Sequence, residues 1–318
     1  MDVKLLEGQS QISALFGVHL MDIVGNHPEI KVITADMSYI ANLELFKAMH
    51  AEQFLNVGIS EQNMIGVAAG LSSEGYKCVC LAQACFISMR CFEQVRQYMS
   101  YMGIPIILVG LSAGFGLQFM GNTHYAIEDM ALMRAIPGIT IFSPADAVEA
   151  VKAFDAALSM DRPCYIRLTG ADRQLVYKED FDYNLAKANR LKNGEEIVLL
   201  STGSMVAPSL EAASELERRL NVKVGCVDVH CISPLDKSML SELRNSSLIV
   251  TIEEHSINGG LGSAVCEYAG EQTGFPPILK IGINGYSIVG DYQYLLEQHK
   301  LTVPQMVKQI EEKYNSIV

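Results

Sequence analysis

Residues 56–70 of the chain read NVGISEQNMIGVAAG, and this stretch is the most informative part of the sequence. A short apolar strand ends here, and Ser60 stands where an N-cap residue begins a helix. Glu61 falls in the first turn of that helix, which is otherwise nearly apolar and is predicted over residues 61–75. Close approach of another backbone is favoured by its small residues, Gly66, Ala68, Ala69 and Gly70.

Glu61 has two interpretations at this point. A carboxylate that opens an apolar helix at an interface should be partly desolvated, which prepares it to share a proton with a ligand nitrogen. Alternatively, Glu61 only complements the partial positive charge at the start of the helix, as many glutamates do. Spacing alone does not separate a catalytic residue from a structural one.

Short apolar strands alternate with helices on both sides of this stretch. In the first half of the chain, the predicted strands are 30–35, 54–57, 77–81, 104–110, 140–142 and 163–168. The predicted helices are 8–28, 61–75, 86–101, 126–135 and 146–158. Continuous apolar strands between helices are typical of a largely parallel sheet that is covered on both faces.

A polar stretch at residues 169–192 precedes a second unit of the same kind. This unit has predicted strands at 196–201, 222–229 and 247–252 and predicted helices at 206–219 and 260–269. We therefore predict the α/β class with two doubly wound domains, residues 1–172 and 193–318, joined by a linker at 173–192.

Composition narrows the class of protein. The 318 residues are 49% hydrophobic, enough for two packed cores, and the net charge is −12, which disfavours binding to nucleic acid or to an anionic membrane. The uncharged run 97–127 contains Pro105 and several glycines, so a buried strand followed by a glycine-rich loop is favoured over a membrane span. Eight cysteines without CxxC spacing, and no secretory signal at the N-terminus, predict buried thiols in a reducing cytoplasm.

The second informative stretch is GLSAGFGLQFMGNTHYAIED at residues 110–129. Three glycines form a loop after a buried strand, and His124 follows the loop directly. Loops at the C-terminal ends of parallel strands often carry catalytic groups, and a histidine there could donate a hydrogen bond to developing negative charge. His124 could equally be structural and bond to carbonyl groups of its own loop.

Five segments in this order resemble the C-terminal half of transketolase, and most closely the separate C-terminal subunit of split transketolases. They are ADMS (35–38), NVGISEQNMIGVAAGL (56–71), CFISMRCFEQVR (85–96), GNTHYAIEDMALMRAIPGITIFSPAD (121–146) and IEEHSINGGLGSAVCE (252–267). The resemblance covers nearly the whole chain. It implies a pyrimidine-binding domain of a thiamine diphosphate enzyme, followed by the family's C-terminal domain.

The resemblance implies roles for several residues. Glu61 matches the glutamate that bonds N1′ of the cofactor's aminopyrimidine and so promotes removal of the thiazolium C2 proton. His124 matches the histidine of the family's GxTH motif, near the cofactor and the substrate oxygens. Asp36 and Met37 match positions of the cofactor pocket. Phe86 matches the aromatic wall of the pyrimidine, although a shift of one residue would give that place to Ile87. The reaction implied is transfer of a two-carbon ketol unit from a ketose to an aldose.

Arg167, which ends an apolar strand, matches an arginine that binds a sugar phosphate. The alternative for Arg167 is an ion pair with Asp180 or Asp182. Arg90 and Arg96 are interpreted as residues that support the helix surface or a subunit contact.

Four positions depart from the family pattern by an ungapped alignment. Ser13 stands where full-length members have an arginine, and Ile40 stands where they have a phosphate-contacting serine. Ser112 replaces a histidine, and Met120 replaces the aspartate before GxTH. The substrate end of the pocket has therefore lost polar groups, and the sugar can be an unusual ketose phosphate or carry another anionic group.

The family's GDG…N motif, which binds diphosphate and Mg²⁺, does not occur in the sequence. We therefore expect a partner, the N-terminal-half subunit, to hold the metal and the diphosphate in an α2β2-like assembly. Three alternatives stay open: a 2-oxo acid dehydrogenase β-subunit, a 1-deoxyxylulose-phosphate-synthase-like enzyme and a noncatalytic assembly subunit.

Overall fold

A computed structural model describes residues 12–169, 175–177 and 181–318, and its described part is built on two sheets. The strands of the first sheet are β1 Ile30–Thr34, β2 Phe54–Asn56, β3 Lys77–Gln83, β4 Ile107–Ala113, β5 Thr140–Phe142, β6 Cys164–Thr169 and, from the second half of the chain, β10 Cys231–Ser233. These seven strands lie in the order β10-β5-β6-β4-β3-β1-β2, and they are parallel except for β10.

Helices cover this first sheet. They are α1 Ile12–Val24, α2 Glu44–Met49, α3 Glu61–Ser73, α4 Phe92–Gln94, α5 Asp129–Arg134 and α6 Ala147–Ser159. Two π-helical segments, Phe86–Arg90 and Val95–Tyr101, flank α4, so the single α-helix predicted over residues 86–101 is wrong in detail. A π turn is wider than an α turn and occurs frequently at functional sites. On one face of the sheet, the Phe16 ring of α1 packs against the Phe154 ring of α6.

The strands of the second sheet are β7 Asn189–Lys192, β8 Ile197–Ser201, β9 Val224–Asp228, β11 Leu248–Ser256 and β12 Ile278–Ile283. They lie in the order β12-β11-β8-β9-β7 and are parallel except for β7. The helices of this half are α7 Val206–Leu220, α8 Lys237–Glu242, α9 Leu261–Gly270, α10 Tyr292–Gln298 and α11 Val303–Asn315. Two doubly wound α/β units are thus present, as the strand and helix pattern predicts.

Strands cross between the two halves of the chain. The segment 173–192, predicted as a linker, ends in β7, which pairs with β9 of the second sheet. Strand β10 follows β9 along the chain but pairs with β5 of the first sheet. One apolar core also contains Ile33 and Leu108 of the first sheet together with Val198 and Ile249 of the second. The two domains are therefore packed against each other through a continuous core.

Four neighbouring strands, β4, β3, β1 and β2, end at the same edge of the first sheet. The segments that leave these ends carry most of the side chains that the sequence singles out, as expected for a parallel sheet. Within the described residues, no helix has both the length and the apolar character needed to cross a membrane.

Candidate active site

Glu61 is the first residue of α3, and its side chain is only 4% exposed. The helix begins here after a turn at Gly58, where φ is +76°. Ser60 occupies the N-cap position, but its hydroxyl donates to the Val57 carbonyl at 2.9 Å and does not cap the helix. Ser60 is therefore the N-cap residue, as predicted, but its side chain makes no cap hydrogen bond.

The partner of Glu61 in the structure is Arg90. Arg90 Nη1 donates to Glu61 Oε2 at 2.7 Å, and the Arg90 side chain is 44% exposed. The guanidinium carbon also lies 4.2 Å from the centroid of the Phe86 ring, a cation–π contact. Arg90 is thus part of the candidate site and not only a surface residue. Arg96, in contrast, pairs on the surface with Glu93.

Phe86 and Ile87 have different surroundings because the π-helical turn at Phe86–Arg90 turns them to different sides. Phe86 is half-buried and contacts the ring of His124, with 5.3 Å between centroids and 65° between planes. Ile87 is fully buried in the apolar core. The prediction that Ile87 can replace Phe86 as the pyrimidine wall is therefore wrong, because Ile87 has no surface to offer a ligand.

His124 is half-buried at the end of the glycine-rich loop. Its Nδ1 lies 2.9 Å from Thr123 Oγ1, and its backbone N–H donates to the Gly121 carbonyl at 2.9 Å. The base of the loop is closed by backbone hydrogen bonds in both directions between Gly114 and Ala126. The structure therefore brings Glu61, Arg90, Phe86 and His124, which come from three strand ends, into one connected array.

Asp36 and Met37 follow β1 at the same edge of the sheet. Asp36 is exposed and has φ of +59°, a conformation that the Asn56 side chain supports. Asn56 Oδ1 accepts from the N–H groups of Asp36 at 3.0 Å and Gly58 at 2.9 Å, and Asn56 Nδ2 donates to Asp36 Oδ1 at 3.1 Å. The loops after β1 and β2 are thus held together beside Glu61. This role of Asn56 was not predicted from the sequence.

Arg167 is not in a position to bind a phosphate. Its side chain is 1% exposed, and Nε donates to Asp129 Oδ2 at 2.9 Å. Its Nη2 donates to the carbonyl groups of Ala126 at 3.1 Å and Glu254 at 2.9 Å. The prediction of a substrate-binding Arg167 is therefore wrong for this structure, because the second domain covers the end of β6. An ion pair is present as the alternative proposed, but with Asp129; Asp180 lies outside the described residues.

Two of the four positions that depart from the family pattern, Ile40 and Met120, are apolar and accessible. Ile40 is 41% exposed and Met120 is 54% exposed, and Ser112 is half-buried with φ of +55°. The side chain of Ser13 lies outside the described part of the chain. Exposed apolar side chains thus stand on the segments that leave β1 and β4.

Buried acidic groups also meet between the domains. Glu149 of α6, Asp228 at the end of β9 and His230 place possible metal-ligand atoms within 4.8 Å of one another. Asn189 Nδ2 donates to Glu149 Oε1 at 3.2 Å, and the Tyr177 hydroxyl donates to Asp228 Oδ2 at 2.6 Å. Burial raises the pKa of Asp228 to about 7 and lowers the pKa of His230 to about 4. The cluster therefore favours retained protons on its carboxyl groups and a neutral histidine.

The Arg90 guanidinium is a planar group that contacts both the Glu61 carboxylate and the face of the Phe86 ring. An aminopyrimidine is likewise planar, donates N–H bonds and stacks on aromatic rings. The side chains present thus fit the pyrimidine half of thiamine diphosphate. A buried acid, an aromatic wall and a histidine can together hold a heterocycle, exchange a proton with it and stabilise charge on a nearby substrate.

Two domain families match most of the chain. Residues 9–175 match the transketolase pyrimidine binding domain, and residues 186–306 match the transketolase C-terminal domain. Among solved structures, a chain described as "Split gene transketolase, inactive beta4 tetramer" has a TM-score of 0.87 and 33% sequence identity, covering 98% of this chain and 100% of that chain.

Two relatives of similar length are named as transketolase subunits, and a longer relative is named as a synthase. The 6-deoxy-6-sulfo-D-fructose transketolase subunit SqwH of Clostridium sp. (strain MSTE9) is 32% identical over 92% of this chain and 91% of its own length. An apulose-4-phosphate transketolase subunit of Actinobacillus succinogenes is 31% identical over 89% of this chain and 92% of its own length. The 1-deoxy-D-xylulose-5-phosphate synthase of Caldanaerobacter subterraneus is 30% identical over 98% of this chain but only 50% of its own length. With both domain matches and these relatives, the chain belongs to the transketolase family, as a counterpart of its C-terminal half.

Proposed function

We propose that this chain is the C-terminal subunit of a split, thiamine diphosphate-dependent transketolase that works in the cytoplasm. It would transfer a two-carbon ketol unit from a ketose or ketose phosphate to an aldose or aldose phosphate. The observation that carries the proposal is the connected array of Glu61, Arg90, Phe86 and His124 at one edge of the sheet. The 33% identity to a split-gene transketolase chain supports it.

Each residue of the array has a defined task in this proposal. Arg90 engages Oε2 of Glu61, which leaves Oε1 to hold or release a proton toward the pyrimidine nitrogen. Phe86 offers a ring face that fixes the plane of the heterocycle. His124 donates a hydrogen bond from its imidazole toward the substrate oxygen on which charge develops. When bound, thiamine diphosphate supplies the carbon nucleophile and the electron sink for cleavage of a ketose C2–C3 bond.

A partner chain would complete the site. The sequence has no GDG…N motif, so the diphosphate and Mg²⁺ would be held mainly by an N-terminal-half subunit. Apolar side chains beside Glu61 support a covering chain, since Ile59 is 79% exposed and Met89 is 40% exposed. A Cβ added at Gly66 or Gly70 of α3 would meet nothing within 4 Å, so this helix face is open for a second subunit. We propose self-association within an α2β2-like assembly.

The substrate proposed is a ketose with an anionic end group, either phosphate or sulfonate. Relatives are named for apulose 4-phosphate and for 6-deoxy-6-sulfofructose, which are both ketoses of this kind. Ile40 and Met120 are exposed apolar residues on the segments that leave β1 and β4, at the edge of the sheet that carries the proposed site. Since Arg167 is buried in ion pairing, the cation for the anionic end would have to come from elsewhere, including the partner chain.

The test is reconstitution with the N-terminal-half subunit, followed by a panel of ketose donors and aldose acceptors analysed by mass spectrometry. We expect a product two carbons longer than the acceptor, only when both subunits are present. Glu61→Gln should abolish turnover with the complex intact, whereas Glu74→Gln, at the far end of the same helix, should not. Two-carbon transfer by the isolated chain would contradict the partner requirement.

A 1-deoxyxylulose-phosphate-synthase-like reaction is the second candidate, because synthases of that name are 30–32% identical to this chain. It predicts release of carbon dioxide when pyruvate is the donor. Carbon dioxide release without ketol transfer would favour it. Unchanged turnover in Glu61→Gln would favour a noncatalytic assembly role for this chain.

A further inference from the structure

The loop that carries His124, residues 114–126, is held by the second domain at two separate points. Its base is closed internally by the backbone bonds between Gly114 and Ala126. Between these residues, the chain runs through the short 3-10 turn Gln118–Met120 to Gly121, where φ is +78°. Phe119 at the tip is 70% exposed. Hydrogen bonds within the loop, including one from the Tyr125 hydroxyl to the Gln118 carbonyl, support it from inside, and contacts from the second domain add to these.

Glu254 makes the first of these contacts. It lies in β11, is 1% exposed, and its Oε1 accepts from the Phe115 backbone N–H at 2.7 Å. Its Oε2 accepts from the hydroxyl groups of Tyr292, at 2.6 Å, and Ser204. A Cβ at Gly114 would clash with Glu254 Oε1, so the close approach also requires glycine there. Glu254 thus fixes the first residues of the loop onto the second domain.

Asn122 makes the second contact, at the other end of the loop. Its Nδ2 donates to the Ser287 carbonyl at 2.9 Å, and its Oδ1 accepts from the Ser287 N–H at 3.1 Å. Ser287 Oγ in turn lies 2.6 Å from His299 Nε2. The His299 ring stacks on Phe115, with 5.4 Å between centroids and 26° between planes. The two contacts are therefore linked to each other through the second domain.

We infer that Asn122 and Glu254 are positioning residues for His124, and that the second domain contributes to catalysis by holding this loop. His124 lies two residues after Asn122, and its own side-chain contacts are with Thr123 and Phe86, both on the first domain. Release of the Ser287 contact would let the imidazole move relative to Glu61. A displacement of about 1 Å at a reacting centre costs up to roughly 100-fold in rate. This inference rests on the proposed function for its catalytic part.

The structural part is tested by hydrogen–deuterium exchange on the complete chain. In Asn122→Ala and Glu254→Ala, which remove the side-chain partners of the loop, peptides covering residues 114–126 should exchange about tenfold faster or more, and peptides distant from Ser204, Ser287 and Tyr292 should be unchanged. Asn122 is exposed, so Asn122→Ala should fold. Because Glu254 is buried, a thermal melt first checks that Glu254→Ala is folded. Asn26→Ala is the control, because Asn26 is exposed in the turn after α1. Unchanged exchange of this loop in Asn122→Ala would overturn the inference.

The catalytic part is tested in the reconstituted complex. Asn122→Ala should lower kcat about tenfold and leave the Kd for thiamine diphosphate unchanged, since Glu61 and Phe86 lie on other elements. Asn122→Asp retains the acceptor for the Ser287 N–H and should recover part of kcat. Faster loop exchange with an unchanged kcat would overturn the positioning role. If the wild-type complex transfers no ketol unit, the proposed function fails, while the exchange experiment still judges the loop contacts.

Discussion

Glu61 Oε2 accepts a hydrogen bond of 2.7 Å from Arg90 Nη1, and this pair joins the first turn of α3 to the π-helical turn after β3. The carboxylate is almost fully buried, while the guanidinium is nearly half exposed. Arg90 therefore supplies the positive charge that a buried carboxylate requires, and it does so from the open side of the site. The same guanidinium lies over the Phe86 ring, so the Arg90 side chain contacts both Glu61 and Phe86.

Arg90→Ala should lower the free energy of unfolding by about 1–2 kcal/mol at pH 7. Removing one partner of a buried pair leaves the other charge uncompensated, and the partial exposure of Arg90 reduces the cost below that of a fully buried pair. Urea unfolding followed by circular dichroism measures the change. Arg96→Ala is the control: its partner Glu93 is exposed, so the free energy of unfolding should stay close to that of the wild type. Equal losses in the two variants would show that Glu61 does not depend on Arg90.

Phe86 and Ile87 should respond in opposite ways to alanine substitution. Phe86→Ala removes the half-buried ring of the proposed pyrimidine site, so the Kd for thiamine diphosphate in the reconstituted complex should rise about tenfold with a smaller loss of stability than in Ile87→Ala. Ile87→Ala removes a core side chain and should cost about 3 kcal/mol of unfolding free energy. Its Kd for the cofactor should stay unchanged at a temperature where the variant is folded. The reverse pattern would place Ile87, not Phe86, against the ligand.

The free energy of unfolding should depend on pH because of Asp228. Burial raises its pKa from 3.8 to about 7, and burial also raises the pKa of the neighbouring Glu149. The native state therefore retains protons that the unfolded chain has already released, so stability is lost as pH rises from about 4 to about 7. Asp228→Asn removes this penalty. Relative to wild type, the unfolding free energy of the variant should rise by about 2–3 kcal/mol between pH 5 and pH 8.

Urea unfolding at pH 5, 6, 7 and 8 measures this difference. Asp161→Asn serves as the control for replacing an aspartate by an asparagine, because Asp161 is exposed. In Asp228→Asn, the Tyr177 hydroxyl keeps an acceptor through the oxygen of the new amide. A difference between Asp228→Asn and wild type that does not change with pH would contradict the assignment of a retained proton.

Local patterns in the sequence predicted much of the fold. The bounds of β5 agree with the predicted residues 140–142, and α3 begins at Glu61 as predicted. Both predictions rest on the spacing of apolar and small residues, which is a local property of the sequence. The π-helical segments were not predicted, since their apolar residues also fit an α-helical period. Ser60 has the residue type of an N-cap, but the tight turn at Gly58 directs its hydroxyl to Val57.

Side-chain contacts between residues far apart in the sequence could not be predicted from local patterns. Arg167 ends an apolar strand, and only the tertiary structure shows that Asp129 and the Glu254 carbonyl surround it. The contact of Phe86 with His124 joins residues on two different strand ends, which the parallel sheet brings together. Arg90 was assigned to the surface because a lone arginine in a helix carries no local signal of a buried partner.

The central claim is that Glu61 activates the cofactor, and proton exchange at C2 of thiamine diphosphate tests it most directly. The exchange rate is measured by proton NMR after rapid quench of the reconstituted complex in deuterium oxide. The proposal predicts that Glu61→Ala slows this exchange by a factor of about 100 or more with the cofactor still bound, and that Glu74→Ala exchanges like wild type. An unchanged exchange rate in Glu61→Ala would contradict the proposed role of this carboxylate.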